Sequence, residues 1–144
     1  MSNSVEPPQI LDAIAIPLVE LIRRVIPDTQ AIYAYGSHIR GGVHPASDLD
    51  LALLCPRQRQ ISQLELVQLQ GDLAALAGFS VELSILSLDT QVVHCKEVVA
   101  HGRPLFVLDP RIVNDFEMRV LSSYARLCED RAPVVAAYSG VRNG

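Results

Sequence analysis

Apolar residues recur along this chain with two periods, and the switches between them lay out its elements. From Ile10, the positions Ile14, Leu18, Leu21, Ile22 and Val25 make a helical stripe, the three-to-four spacing that turns one side of a helix inward. Pro17 interrupts it, which predicts either a kink or a shorter helix with Pro17 in its first turn. Pro27 ends the segment. Ala31 to Tyr35 is a short apolar run with aromatic and β-branched residues, hence a strand, and it stops at Gly36-Ser37. Ser37 is a good residue to open a short helical turn; Gly41-Gly42 and Pro45 then predict a loop. From Asp48 to Cys55 the period becomes two, with Asp48, Asp50 and Ala52 on one face and Leu49, Leu51 and Leu53 on the other. That alternation predicts a strand with one buried face.

Helical spacing returns at Leu66, Leu69, Leu73 and Leu76, predicting a helix within 60–77 that tolerates Gly71 and is closed by Gly78. Val81 to Ile85 alternates again, with Glu82 and Ser84 on the polar face. Residues 89–101 read as a helix capped by Asp89 and ended by Gly102, and Pro104 to Val107 as a short edge strand. A last helix over about 110–128 carries Val113, Phe116, Val120, Tyr124 and Leu127 on one stripe. The expected architecture is α/β (α+β): a small mixed β-sheet with helices mainly on one face. It forms a single domain over 1–144, with its core at about 10–128 and frayed ends.

Composition narrows the function classes. The net charge is −4, and the twelve Lys and Arg are scattered, so no basic stripe marks a nucleic-acid partner. No apolar run reaches ~18 residues, and the N-terminus lacks a basic start and an apolar core, which predicts a soluble cytoplasmic protein. Cys55, Cys95 and Cys128 form no CxxC pair and read as reduced thiols.

The chemistry concentrates in Gly36-Ser37-His38-Ile39-Arg40-Gly41 and Ser47-Asp48-Leu49-Asp50-Leu51. Gly36 after a strand permits close backbone approach. A helical turn opening at Ser37 presents free N–H groups to an anion such as a phosphate. Arg40, one turn on, can clamp a phosphate with its guanidinium. Asp48 and Asp50, two residues apart on a strand, project from one face. Their mutual repulsion, roughly 1–4 kcal/mol at surface-like dielectric, calls for a shared cation. Hard oxygen ligands favour Mg²⁺. If the Val81–Ile85 strand lies beside the Asp48 strand, Glu82 adds a third carboxylate, enough for two metal ions acting on a phosphoryl displacement. A lone Asp-x-Asp is usually a solvated strand face, and Gly-Ser after a strand usually a turn. The four positions together, ten residues between Ser37 and Asp48, arise by chance in roughly one chain per thousand. A Ser37–His38–Asp48 triad is disfavoured, since sequence neighbours rarely face each other. His38 and His44 lack zinc-like partners. His94-Cys95 reads as packing plus surface, and Tyr33 and Tyr35 as sheet residues.

Gly-Ser, ten residues, Asp-x-Asp resembles the signature of the polymerase-β-like nucleotidyltransferase superfamily. The longer string GSHIRGGVHPASDLDLALL is similar to its minimal prokaryotic branch, the MNT or MntA-like proteins. VELSIL resembles the family's third-carboxylate strand, while KEVVAHGRPLF and NDFEMRVLSSYARL resemble its C-terminal part, so the likeness spans about residues 30–128. The resemblance implies that Gly36 and Ser37 hold ATP, that Asp48 and Asp50 bind Mg²⁺, and that Glu82 stands where the family more often has Asp. It further implies AMP transfer to a tyrosine of a partner HEPN-type toxin, with this chain as the antitoxin. Two alternatives are a nucleotidyltransferase acting on a small molecule such as an aminoglycoside, and an antitoxin that only masks its partner.

Overall fold

The computed structural model describes residues 7–36 and 48–143, with side-chain surroundings for 11–36 and 48–130. Among the described residues eight elements follow in order: α1 (Pro7–Val25), β1 (Ala31–Tyr35), β2 (Leu49–Leu54), α2 (Gln63–Ala77), β3 (Val81–Ile85), α3 (Val92–His101), β4 (Arg103–Val107) and α4 (Pro110–Asn143). The sheet runs β3-β2-β1-β4. β1 is antiparallel to both β2 and β4, and β2 is parallel to β3, so the sheet is mixed as expected. The α2 crossover between β2 and β3 is what a parallel neighbour requires.

The period-two strands put alternate residues on opposite faces, and each face has its own core. Ile32, Ala34, Leu49, Leu51, Leu53, Val81 and Leu83 pack with Leu18 and Ile22 of α1 and Leu69 and Leu73 of α2. Ala31, Tyr33, Ala52, Leu54 and Leu86 pack with Cys95 and Val98 of α3 and Val113 and Val120 of α4. Helices therefore cover both faces, not mainly one. The reason is visible on β2: Ala52 and Leu54, on the face that begins with the acids, are as buried as the leucines opposite, and α3 and α4 supply the cover. Only Asp50 within β2 keeps partial access to solvent.

Local signals set the ends of α2 but not those of every helix. Ser62 caps α2 through its hydroxyl, which accepts from Glu65 N–H, and Gly78 closes it in the left-handed conformation at φ +85°, the usual reason for glycine there. α1 runs through Pro17 without ending. Asp89 does not cap α3; the helix starts after Gln91, and the Asp89 carboxylate pairs with Arg57 instead. α4 is longer than its apolar stripe, reaching Asn143. No helix among the described residues is long and apolar enough to cross a membrane.

β3 is an edge strand, and its border is shielded. Gln70 on α2 reaches over and accepts a hydrogen bond from Leu83 N–H at 2.8 Å. Gln70→Leu leaves that donor without its partner, and we expect a loss of about 1–3 kcal/mol, read as a lower midpoint at unchanged slope in urea unfolding. An unchanged midpoint would mean that solvent serves the donor equally well.

Candidate active site

β1 and β2 end and begin side by side, and that adjacency builds the site. Tyr35, the last residue of β1, pairs with Asp50. Asp50 pairs on its other side with Glu82 of β3. The acids of β2 and β3 thus lie abreast at one end of the sheet, on the face shared with α3 and α4. Asp48 sits exposed just before β2, while Glu82 is exposed on the edge strand.

The electrostatics reflect this crowding. The Asp50 carboxyl is pushed up to about 6 from 3.8, first by burial, then by a hydrogen bond and charge repulsion from Glu82, and by the charge of Asp48. Like charges abreast with partial desolvation favour the protonated form of one member. Gly36 completes the arrangement. It adopts φ +84°, and a side chain there would collide with Asp50 Oδ2 and lie 3.3 Å from Asp50 Cγ. Backbone at the end of β1 therefore lies directly against the central carboxylate, an approach only glycine permits.

Of the residues singled out in the sequence, Gly36, Asp48, Asp50 and Glu82 come together. Ser37 and Arg40, the helical turn expected at Ser37, and His38 and His44 lie outside the described residues. Among the described residues no group of three or more His, Cys, Asp or Glu side chains is placed to hold a metal ion; Asp50 and Glu82 lie abreast, with the Asp48 charge beside them. Sequence reasoning missed a second group beside them. Tyr35 Oη lies 3.4 Å from Ser84 Oγ, Ser84 Oγ lies 3.1 Å from His94 Nε2, and the Tyr35 and His94 rings meet edge-on at 5.3 Å. Burial raises the Tyr35 hydroxyl, the Ser84 hydrogen bond opposes that, and Asp50 and Glu82 add to it. Ser84 was legible as a polar-face residue, but nothing in the spacing of a helix residue points to a strand ten positions earlier.

A well-defined groove among the described residues lies elsewhere. It measures about 840 Å³ and lies between α4 and the far ends of β2 and β3, lined by Leu54, Arg57, Leu86, Phe116, Arg119 and Arg126 among others. It contains none of the acids and begins four residues along β2 from Asp50, about 13 Å away.

Residues 19–111 match the family model described as polymerase beta, nucleotidyltransferase. The chain is 31% identical over 121 residues, 82% of each protein, to the protein adenylyltransferase MntA of Shewanella oneidensis. Its fold is similar to that of a chain in a toxin–antitoxin crystal structure with AMP-PNP, at TM-score 0.75 and 26% identity, covering 87% of this chain and 98% of that one. It also resembles a chain of the complex of a tri-AMPylated Shewanella oneidensis HEPN toxin with its MNT antitoxin, at TM-score 0.71, covering 89% and 98%. At 23% identity that last likeness speaks for the fold alone.

Proposed function

The chain belongs to the polymerase beta nucleotidyltransferase family, and from that premise we propose that it transfers AMP from ATP to a tyrosine hydroxyl of a HEPN-type partner toxin, serving as its antitoxin. The observation that carries this reading is the trio Asp48, Asp50 and Glu82 on one sheet end with the Gly36 backbone packed against Asp50. The relative's name, protein adenylyltransferase, supports a protein acceptor. The nucleotide analogue in the 26%-identical toxin–antitoxin structure supports ATP as donor.

The donor set suits Mg²⁺. It is all hard carboxylate oxygen, and the raised Asp50 carboxyl marks a site where a cation would relieve repulsion. Its openness suits an ion that keeps waters and binds substrate phosphates. Asp48 and Asp50 would hold the metal, with Glu82 beside them able to share a second ion. Bound there, Mg²⁺ would neutralise phosphate charge and favour displacement at the α-phosphorus. Gly36, Ser37 and Arg40 would grip the triphosphate through backbone N–H groups and a guanidinium. Exposed Glu82 would receive the acceptor's proton. In the transfer, the tyrosine oxygen bonds to the α-phosphorus, the bond to the β-phosphate bridge breaks, and pyrophosphate leaves.

The test uses ATP labelled at the α-phosphate, Mg²⁺, and either the protein encoded beside this chain or an aminoglycoside panel. Label is expected on a tyrosine of the partner protein. Label on the small molecule alone would refute the protein acceptor. Full neutralisation of the partner by an Asp48→Ala, Asp50→Ala variant at low expression would assign the protection to masking.

A further inference from the structure

The Tyr35–Ser84–His94 chain joins three elements at the carboxylate end. Tyr35 ends β1 and immediately precedes Gly36, whose backbone lies against Asp50. Ser84 lies on β3, on the same face as Glu82 two residues earlier. His94 lies in the first turns of α3. The Tyr35 side chain thus spans from β1 over the central strand to β3, and the His94 ring backs both the Tyr35 ring and the Ser84 hydroxyl. Below them the face becomes apolar, with Ala52, Tyr33, Cys95 and Val98 fully packed. Tyr33 is secured separately, donating to Glu117 of α4 at 3.0 Å, so the Tyr35 chain is not needed to hold the middle of β1.

From this placement we infer that His94 is a positioning residue: acting through Ser84 and Tyr35, it fixes the end of β1 at Tyr35 and Gly36 relative to the strand bearing Glu82. The inference rests on the proposed transfer for its kinetic meaning, because β1 would deliver the phosphate grip and β3 the carboxylate facing the acceptor. Reacting groups displaced by about 1 Å can lose a hundredfold in rate. A clamp between the two carriers acts on that alignment and does not touch the nucleotide itself.

His94→Ala is expected to lower kcat for AMP transfer by at least tenfold, with KM for ATP within twofold of the parent. His94→Gln, which keeps a partner for Ser84, should recover much of the rate; His94→Phe, which keeps only the ring, should recover less. Hydrogen exchange followed by mass spectrometry reads the same clamp without any turnover. In His94→Ala, peptides over residues 31–36 should exchange faster while those of α1 stay unchanged. Uniformly faster exchange, or no change over 31–36, would overturn the inference even if the parent transfers AMP normally. A parent that transfers nothing would sink the proposed function and leave the exchange result to decide on the clamp. Equal kcat in all four proteins would likewise refute it.

Discussion

Asp50→Asn is expected to abolish AMP transfer while making the metal-free protein more stable. The activity loss should be at least about a thousandfold, since the proposed reading makes Asp50 the central metal ligand and rests about 4 kcal/mol of transition-state stabilisation on it. The stability change has the opposite sign because Asp50 is held under strain in the folded chain. Its carboxyl stands at about 6 there, against 3.8 ordinarily. Below about pH 4 it is protonated in folded and unfolded chains alike, and the fold retains the full advantage of binding that proton. The advantage is lost as pH rises through about 6. Compared in EDTA, the melting temperatures of parent and Asp50→Asn should therefore separate between about pH 4 and 6 and run parallel above. Solvent screening of a half-exposed group limits the gap to about 1 kcal/mol, or about 3 °C. Mg²⁺ should narrow it above pH 6 by stabilising the parent alone. A gap independent of pH would show that Asp50 does not carry the repulsion assigned to it.

Gly36→Ala should cost both activity and stability. The left-handed backbone at φ +84° penalises any side chain by about 1–2 kcal/mol. The added methyl also drives the Asp50 carboxylate off its position. We expect about a hundredfold loss in kcat/KM, with KM for ATP raised, unlike the pattern for His94. Because the methyl acts largely by pushing Asp50, adding Asp50→Ala should remove most of its further effect on activity, a non-additivity that a double-mutant cycle measures. Simple additivity would mean that residue 36 acts without Asp50.

The two acids and the glycine were legible because each has a local signature: a period-two strand for Asp48 and Asp50, and a strand end for Gly36. Glu82 was legible only conditionally. Its role needed β3 to lie beside β2, and pairing between strands separated by a helix is decided by packing, not by neighbouring residues. The second helical layer was hidden for a related reason. The stripe of Val113, Phe116 and Val120 announces a buried side without naming the sheet face it covers, and Ala52, short and ambiguous, gave no sign that its face was dry. The start of α3 was misread because Asp89, a strong cap by type, is engaged by Arg57, a contact thirty-two residues away in sequence. His94 was overlooked because a histidine on a helix advertises nothing about the strand beneath it.

The Gln70 amide that occupies Leu83 N–H also governs how molecules meet one another. An outer strand with an unguarded rung invites a second polypeptide to zip alongside. Here an intruder pairing at Leu83 would have to displace a side chain anchored on α2. Crowded copies are thereby discouraged from growing into a continuous ribbon, and the flank carrying Glu82 stays open to a visitor recognised by its side chains.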